Sequence, residues 1–245
     1  MSVLLRAELL KLRTTRTFFA LVGAALALSI ALVVLGGLLG DFRTRADVRL
    51  IFVGDFTGAF IALLGAMGMA GEWRHRTITS TILAAPDRVR LLVAKTLSYA
   101  VAGVVVSFVI TVSLMLIGTF ILRARGLMTL PASDLLDVLW RNLLVAGLIG
   151  AIGVCVGAIV RSQIAAVIGL LVWMLFVESS LFVFAPDVAK FGPLNGAPSG
   201  IVDAMIDGGS HHDLLDPAIA VAVMVGWVAL LFAIGAILLR RRDLT

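Results

Sequence analysis

The sequence predicts an all-α, polytopic membrane protein with six transmembrane helices, and three observations support this fold class. Of the 245 residues, 61% are hydrophobic and only 14% are charged, and the mean hydropathy is +1.11. The charged residues are grouped between long apolar runs instead of being spread through them. In lipid only helices and closed barrels satisfy the backbone, and these runs lack the alternating pattern of barrel strands. The fold is therefore expected to be helical throughout.

Six apolar runs are each long enough to cross the hydrocarbon core of a bilayer. We expect them at residues 18–40, 50–71, 97–122, 142–160, 163–184 and 217–239. The first run is too long for the apolar region of a signal peptide, so we expect it to remain in the mature protein. Residues 1–245 are then expected to form one transmembrane domain.

The positions of Lys and Arg predict the orientation, because cytoplasmic loops retain positive charge. With the N-terminus inside, the inner segments hold about twice as many Lys and Arg residues as the outer segments. An even number of spans agrees with both termini being cytoplasmic. The basic residues are not gathered into one stripe, so the net charge of +5 does not indicate a nucleic-acid partner.

Residues 1–17 are predicted to form an interfacial helix. Leu5, Leu9 and Leu12 form one apolar stripe, and a second stripe lies on roughly the opposite side, with Glu8 and Lys11 between them. One interpretation is an anchor on the membrane surface. The other is a helix held between the bilayer and a cytoplasmic partner.

The loop at residues 72–96 is predicted to carry a short helix between two membrane stems. Ile78 and Ile82 share one face of a short segment, and Asp87 can cap a new helix that runs through 88–122. That helix would be about 50 Å long, so its first three turns should stand in the cytoplasm. This arrangement is typical of a docking element, although an ordinary positively charged loop is the alternative.

The last external loop, residues 185–216, is long enough to be functional or mobile. Ser199 is a candidate cap for a short amphipathic or re-entrant helix there. The adjacent His211 and His212 lack a carboxylate at helical spacing, so we expect no metal site.

No catalytic or nucleotide-binding motif occurs in the sequence. None of the three lysines follows a glycine as a phosphate-binding loop requires, and no hydrolase or metalloprotease motif is present. We therefore expect no enzymatic activity and no cofactor bound by this chain.

Two carboxylates, Asp55 and Glu178, lie inside predicted spans. An acid at mid-membrane costs about 2.5–3.5 kcal/mol on insertion scales, and both acids lie nearer the external end, where the cost falls. Each is a candidate pathway-lining residue, and a plain interfacial position is the alternative.

Glycines recur at helical spacing in the fourth run, at Gly147, Gly150, Gly153 and Gly157. Small residues allow close helix packing in lipid. The fourth span should therefore be central or lie at a dimer seam.

The loop GEWRHRTITSTILAAPDRVRLLVAK, together with Glu8 and Lys11, resembles the membrane subunit of an ABC exporter, the ABC-2-type permease family. In that family the second span ends in Glu, followed by a Thr-rich turn, a Leu-Leu-like pair, Pro, Arg and finally Lys. The matching residues here are Glu72, Thr77, Ile82 with Leu83, Pro86, Arg88 and Lys95. Arg76 stands where the family commonly has glycine.

The resemblance implies that residues 72–88 form a coupling helix seated in a separate ATPase subunit, which binds ATP and Mg²⁺. The coupling residues would be Glu72, Arg76, Thr77, Ile78, Ile82, Leu83, Pro86 and Arg88. It also implies a second permease copy or paralogue, an external re-entrant segment before the sixth helix, and a prokaryotic plasma membrane. An ion-coupled secondary transporter or channel using Asp55 and Glu178 is the alternative function, and a structural or anchoring subunit is a third.

Overall fold

The computed structural model describes residues 2–40, 42, 44–74, 87–203 and 214–241. Within those ranges every regular element is a helix and no strand occurs. Six helices there are long and apolar enough to cross a membrane, and we call them the first to sixth spanning helices: Arg16–Leu39, Arg45–Arg74, Arg88–Ala124, Ala132–Val160, Gln163–Phe184 and Pro217–Arg241. The prediction of an all-α protein with six such helices is confirmed.

The second spanning helix is interrupted near its start. It consists of Arg45–Val53 and Thr57–Arg74, with residues 54–56 between them in a non-helical conformation. Its beginning precedes the predicted span because the side chain of Thr44 accepts a hydrogen bond from the backbone N–H of Asp47 and the Asp47 carboxylate accepts one in return. Such a capping box starts a helix regardless of hydropathy.

The third spanning helix, Arg88–Ala124, has 37 residues and is about 55 Å long. Asp87 begins it, because its Oδ1 atom accepts hydrogen bonds from the backbone N–H groups of Val89 and Arg90, each at 3.1 Å. The predicted cap and the predicted length are both confirmed.

The fourth spanning helix is the central one, and it packs against the second, third and sixth. Its glycines lie directly on the backbones of these neighbours. A methyl group on Gly157 would lie 2.6 Å from the carbonyl oxygen of Ala66, and one on Gly150 would lie 2.6 Å from that of Tyr99. Of the two predicted positions, central or at a dimer seam, the packing shows the central one. Glycine permits this close approach because it has no side chain to meet the neighbouring backbone.

The fifth spanning helix contains a π-helical stretch, Trp173–Glu178. It is followed by two short helices, Pro186–Ala189 and Gly196–Val202. The short helix predicted in the last loop therefore exists, but Ser199 is not its cap because Ser199 lies within it. His211 and His212 lie outside the described residues.

The N-terminal helix, Ser2–Thr14, packs mainly on the third spanning helix. Its inner face is centred on Glu8 and Leu12, which are 3% and 6% exposed. Leu5 is half-buried and Leu9 is exposed, so the predicted leucine stripe is only partly the packing face. The packing face is centred on Glu8 instead of on the leucine stripe, because Lys95, a partner of Glu8, lies on the adjoining third spanning helix.

Candidate functional site

Four charged side chains from three parts of the chain meet where the N-terminal helix joins the bundle. Glu8 and Lys11 lie one turn apart on the N-terminal helix. Glu72 lies near the end of the second spanning helix, and Lys95 lies two turns after the Asp87 cap of the third. We call these four residues the charge cluster.

In the charge cluster each ammonium group contacts both carboxylates. The Lys95 Nζ atom lies 2.7 Å from Glu8 Oε2 and 2.8 Å from Glu72 Oε1. The Lys11 Nζ atom lies 2.8 Å from Glu8 Oε1 and 3.1 Å from Glu72 Oε1. The two positive and two negative charges balance, so the closed ring is neutral as a whole.

Three of the four charged side chains in the cluster are buried, so each of them needs a partner of opposite charge. The side chains of Lys95, Glu8 and Glu72 are only 1%, 4% and 10% exposed, whereas that of Lys11 is 51% exposed. A buried charge without its partner is strongly destabilising. The cluster therefore defines one docking position for the N-terminal helix, since any other register would separate the charges.

The neighbouring charges keep the two groups on the N-terminal helix ionised. Burial raises the pKa of Glu8, but the ammonium groups of Lys95 and Lys11 outweigh this and hold that pKa below its usual value of 4.5. Burial lowers the pKa of Lys11, but the carboxylates of Glu8 and Glu72 outweigh this and raise that pKa above 10.5. Glu8 is thus a carboxylate and Lys11 an ammonium at neutral pH.

A cleft of about 540 Å³ opens beside the charge cluster. Besides the four charged residues, Tyr99, Gln163 and Phe18 line it. Tyr99 lies against Gly68, and any side chain at position 68 would displace its ring. The cleft therefore lies against the charge cluster, between the N-terminal helix and the second and third spanning helices.

The charge cluster joins three helices at one point. The four side chains link the N-terminal helix to both stems of the segment at residues 75–86, which lies outside the described residues. Charge-assisted hydrogen bonds are roughly twice as strong as neutral ones. The four contacts therefore hold the N-terminal helix and the facing ends of the second and third spanning helices against one another.

Only part of the predicted coupling segment lies within the described residues. Glu72 belongs to the charge cluster, and the Arg88 guanidinium donates to the carbonyl oxygen of Leu239 at 2.9 Å, which ties the third spanning helix to the sixth. The other predicted coupling residues lie outside the described part of the chain: Arg76, Thr77, Ile78, Ile82, Leu83 and Pro86.

Lys95 is the cluster residue to which sequence reasoning gave no role. It was recognised only as one position of the motif. The available signal was a lysine in the apolar stretch Leu91–Leu97, since a charge in such a place needs a partner. Its two partners could not be identified because they lie 87 and 23 residues away.

The two candidate pathway-lining acids lie apart from the charge cluster and are not brought together. Asp55 lies at the break in the second spanning helix, where its Oδ1 atom accepts from the backbone N–H of Thr57 at 2.9 Å. It lines a second cavity, of about 200 Å³, and Glu178 does not. A pathway-lining role stays a prediction for both.

Glu178 organises the loop that follows the fifth spanning helix. Its carboxylate is fully buried and accepts from the backbone N–H groups of Leu194 at 3.0 Å, Gly196 at 3.2 Å and Asn195. The indole N–H of Trp173 donates to it at 2.6 Å. Glu178 thus provides the N-terminal capping interaction of Gly196–Val202 that sequence reasoning assigned to Ser199.

No group of three or more His, Cys, Asp or Glu residues in the described part of the chain is arranged to hold a metal ion. Compared with known proteins, the sequence matches no family model and no curated protein.

Proposed function

We propose that this chain is the membrane-spanning permease subunit of an ATP-driven ABC exporter, and that it forms the substrate pathway as a dimer. A separate ATPase subunit binds ATP and Mg²⁺ and hydrolyses ATP. The membrane is a prokaryotic plasma membrane, with both termini in the cytoplasm. The six apolar helices and the distribution of Lys and Arg support this assignment.

The observation that carries the proposal is the charge cluster. Glu8, Lys11, Glu72 and Lys95 all belong to the pattern that resembles the permease family, and they are far apart in sequence. In the folded chain each of the two lysines lies within 3.1 Å of both glutamates. The ring joins the N-terminal helix to both stems of the proposed coupling segment, as force transmission from an attached ATPase requires.

In this mechanism, ATP binding closes two ATPase subunits, which push on the segment between Glu72 and Arg88. Lys95 receives that movement through Glu72, and the third spanning helix carries it into the bilayer. The N-terminal helix moves with the stems because Glu8 holds Lys95. Substrate then leaves outward through a path near the dimer seam.

The proposal is tested by mass spectrometry of the proteins retained when the chain is gently extracted in detergent and affinity-purified from its native host. We expect a stoichiometric partner that carries a phosphate-binding loop. A homo-oligomer with no ATPase, reproduced after mild crosslinking, would contradict the proposal.

One observation favours a second candidate, an ion-coupled secondary transporter or channel. Asp55 lies at a break in a spanning helix, and discontinuous helices commonly form the ion sites of secondary transporters. This candidate predicts transport that persists after ATP depletion and is lost in Asp55→Asn. The ABC exporter predicts the loss of transport on ATP depletion.

A further inference from the structure

The cleft of about 540 Å³ beside the charge cluster lies at one end of the helical bundle. Its walls come from the N-terminal helix, the first three spanning helices and the start of the fifth at Gln163. At this end the first spanning helix begins at Arg16 and the second ends at Arg74. Spanning helices begin and end near the membrane surface, so the cleft lies at the depth of the lipid headgroups.

The walls of the cleft change from polar to apolar with depth. Glu72, Gly68 and Leu64 line it at intervals of four residues, so they share one helix face at spacings of about 6 Å. Lys11 lies level with Glu72, because its Nζ atom is 3.1 Å from Glu72 Oε1. The Tyr99 hydroxyl lies level with Gly68, where an added methyl group would overlap it. The cleft thus has a charged end, a hydroxyl group one turn deeper and an apolar end.

The polar groups that a ligand in the cleft can reach are hydrogen-bond donors. The side chain of Lys11 is 51% exposed, and its ammonium group has three N–H donors for the two carboxylates that it contacts. The Tyr99 hydroxyl has no hydrogen-bond partner among the described residues. The carboxylates of Glu8 and Glu72 are almost completely buried and already paired. A ligand that fits these walls therefore presents acceptor oxygens.

The rim of the cleft carries unbalanced positive charge. Arg16 stands between two lining residues, Thr15 and Thr17, and the Arg74 guanidinium lies 3.5 Å from Oε1 of the lining residue Gln163. Both arginines are exposed, and neither forms an ion pair with a described residue. The charge cluster is neutral as a whole, so its carboxylates do not cancel these charges. Basic pockets between spanning helices bind the headgroups of anionic lipids.

The apolar surface of the cleft distinguishes a lipid from a soluble anion. Leu12, Phe18, Leu64 and Met67 provide this surface. The volume lies in the range of about 300–1,000 Å³ that is usual for a ligand site. A soluble phosphate ester would leave water against the apolar side chains, whereas an acyl chain displaces that water favourably.

We propose that this cleft binds an anionic phospholipid. Its phosphate accepts a hydrogen bond from the Lys11 ammonium group, an ester carbonyl one helical turn deeper accepts one from the Tyr99 hydroxyl, and an acyl chain packs against Leu64 and Met67. Binding requires a membrane but neither an ATPase nor transport, so the site stands or falls independently of the proposed exporter function.

The test uses native mass spectrometry of the full chain in a mild detergent, titrated with one lipid at a time. The probe is phosphatidylglycerol. Two controls have the same acyl chains: diacylglycerol lacks the phosphate, and phosphatidylcholine has no net charge. We expect the first phosphatidylglycerol to bind at least about tenfold more tightly than diacylglycerol, because a charge-assisted hydrogen bond is gained, and at least about fivefold more tightly than phosphatidylcholine. Equal binding of phosphatidylglycerol and either control would overturn the proposal.

Gly71→Leu fills the cleft without altering the charge cluster. Gly71 lines the cleft, and a methyl group added to it would meet only Gln163 Oε1, at the ordinary contact distance of 3.9 Å. Gly226→Leu on the sixth spanning helix is the matched control, because nothing lies within 4 Å of a methyl group added there. We expect phosphatidylglycerol binding to weaken at least about tenfold in Gly71→Leu only. Equal affinities of the two variants would contradict the site.

Tyr99→Phe tests the site with a smaller change, and it decides the matter if Gly71→Leu fails to fold. It removes only a hydroxyl group that has no partner among the described residues. We expect phosphatidylglycerol to bind about two- to tenfold more weakly, while the melting temperature without added lipid is unchanged. Wild-type affinity in this variant would contradict the proposed contacts.

Competition separates a membrane lipid from a soluble anion with the same phosphate chemistry. Glycerol phosphate carries the phosphate without acyl chains. Failure of glycerol phosphate to displace phosphatidylglycerol, at constant ionic strength, would support the lipid site. Displacement as effective as by unlabelled phosphatidylglycerol would assign the cleft to a soluble phosphate ester and overturn the proposal.

Discussion

The Nζ atom of Lys95 lies 2.7 Å from Oε2 of Glu8, although 87 residues separate them in the sequence. Both side chains are almost completely buried, and the contact joins the N-terminal helix to the third spanning helix. Glu72 shares the same ammonium group at 2.8 Å. The N-terminal helix is therefore held in the bundle by a specific ionic contact as well as by the packing of Leu12.

Replacing Glu8 with Gln should loosen the N-terminal helix. The variant keeps the shape of the side chain but removes the charge that pairs with Lys95, and a hydrogen bond to a charged group contributes about 1.5–3 kcal/mol. We expect a loss of free energy of unfolding in that range, measured by thermal unfolding in detergent, and faster tryptic cleavage after Arg13. The control is the ion pair between Lys190 and the exposed Asp187, and Asp187→Asn should change neither measurement. Cleavage at the wild-type rate in the Glu8→Gln variant would refute the ionic attachment.

The contribution of Glu8 should depend on pH. Its pKa is lowered in the folded protein, because its lysine partners outweigh the effect of burial, and in the unfolded chain it is near the usual 4.5. The pairing thus stabilises the fold fully above the unfolded pKa, and this stability is lost as pH falls through the lower folded pKa. The stability difference between wild type and Glu8→Gln should shrink below about pH 4.5 in a thermal-unfolding series. A difference that stays constant down to the acid limit of the fold is inconsistent with this assignment.

Adding a methyl group at Gly157 should destabilise the bundle. It would lie 2.6 Å from the carbonyl oxygen of Ala66 and 3.0 Å from the Cβ atom of Met69, and such overpacking costs about 1–3 kcal/mol. Gly169→Ala is the matched control, because nothing lies within 4 Å of the added methyl group. We expect a lower melting temperature only in Gly157→Ala. Equal melting temperatures for the two variants would mean that the fourth and second spanning helices are not packed this closely.

Replacing Glu178 with Gln should free the loop around Gly196. The carboxylate of Glu178 accepts hydrogen bonds from the backbone N–H groups of Leu194, Asn195 and Gly196. The amide of Gln carries no negative charge and accepts these bonds more weakly. We expect amide hydrogen exchange at residues 194–202 to accelerate at least about tenfold, measured by mass spectrometry. Trp173→Phe removes one donor only and should have a smaller effect. Unaltered exchange in the Gln variant would argue against an anchoring role.

If the chain is an ABC permease, replacing Ile78, Ile82 and Leu83 with Asp should uncouple it from its ATPase. Three acidic residues cannot be accommodated in an apolar docking surface, because each charge would lose its hydration. We expect loss of permease-stimulated ATP hydrolysis in proteoliposomes, while membrane insertion and the yield of folded protein are retained. Retained stimulation would disprove the role of this cluster in coupling.

The sequence was sufficient to predict the spanning helices because length and hydropathy are local properties. The Asp87 cap was also predictable, because it depends on residues within one turn. The central position of the fourth helix was predictable because its glycines recur at helical spacing, which indicates close packing. The second and fourth spanning helices begin at Arg45 and Ala132, before the predicted apolar spans, because helix starts depend on local capping and not on hydropathy alone. The cap of the last short helix was also wrong, because Glu178 satisfies it from 18 residues away.

What the sequence determined by itself was therefore the helical, lipid-facing character of the chain and the identity of its unusual charges. Only the tertiary structure decided which charges are paired. Lys95 meets Glu8 and Glu72, Glu178 caps a loop, and Asp55 accepts a hydrogen bond from the backbone N–H of Thr57. The physical reason is that a buried charge is stable only beside a partner, and the partner is set by how the helices pack.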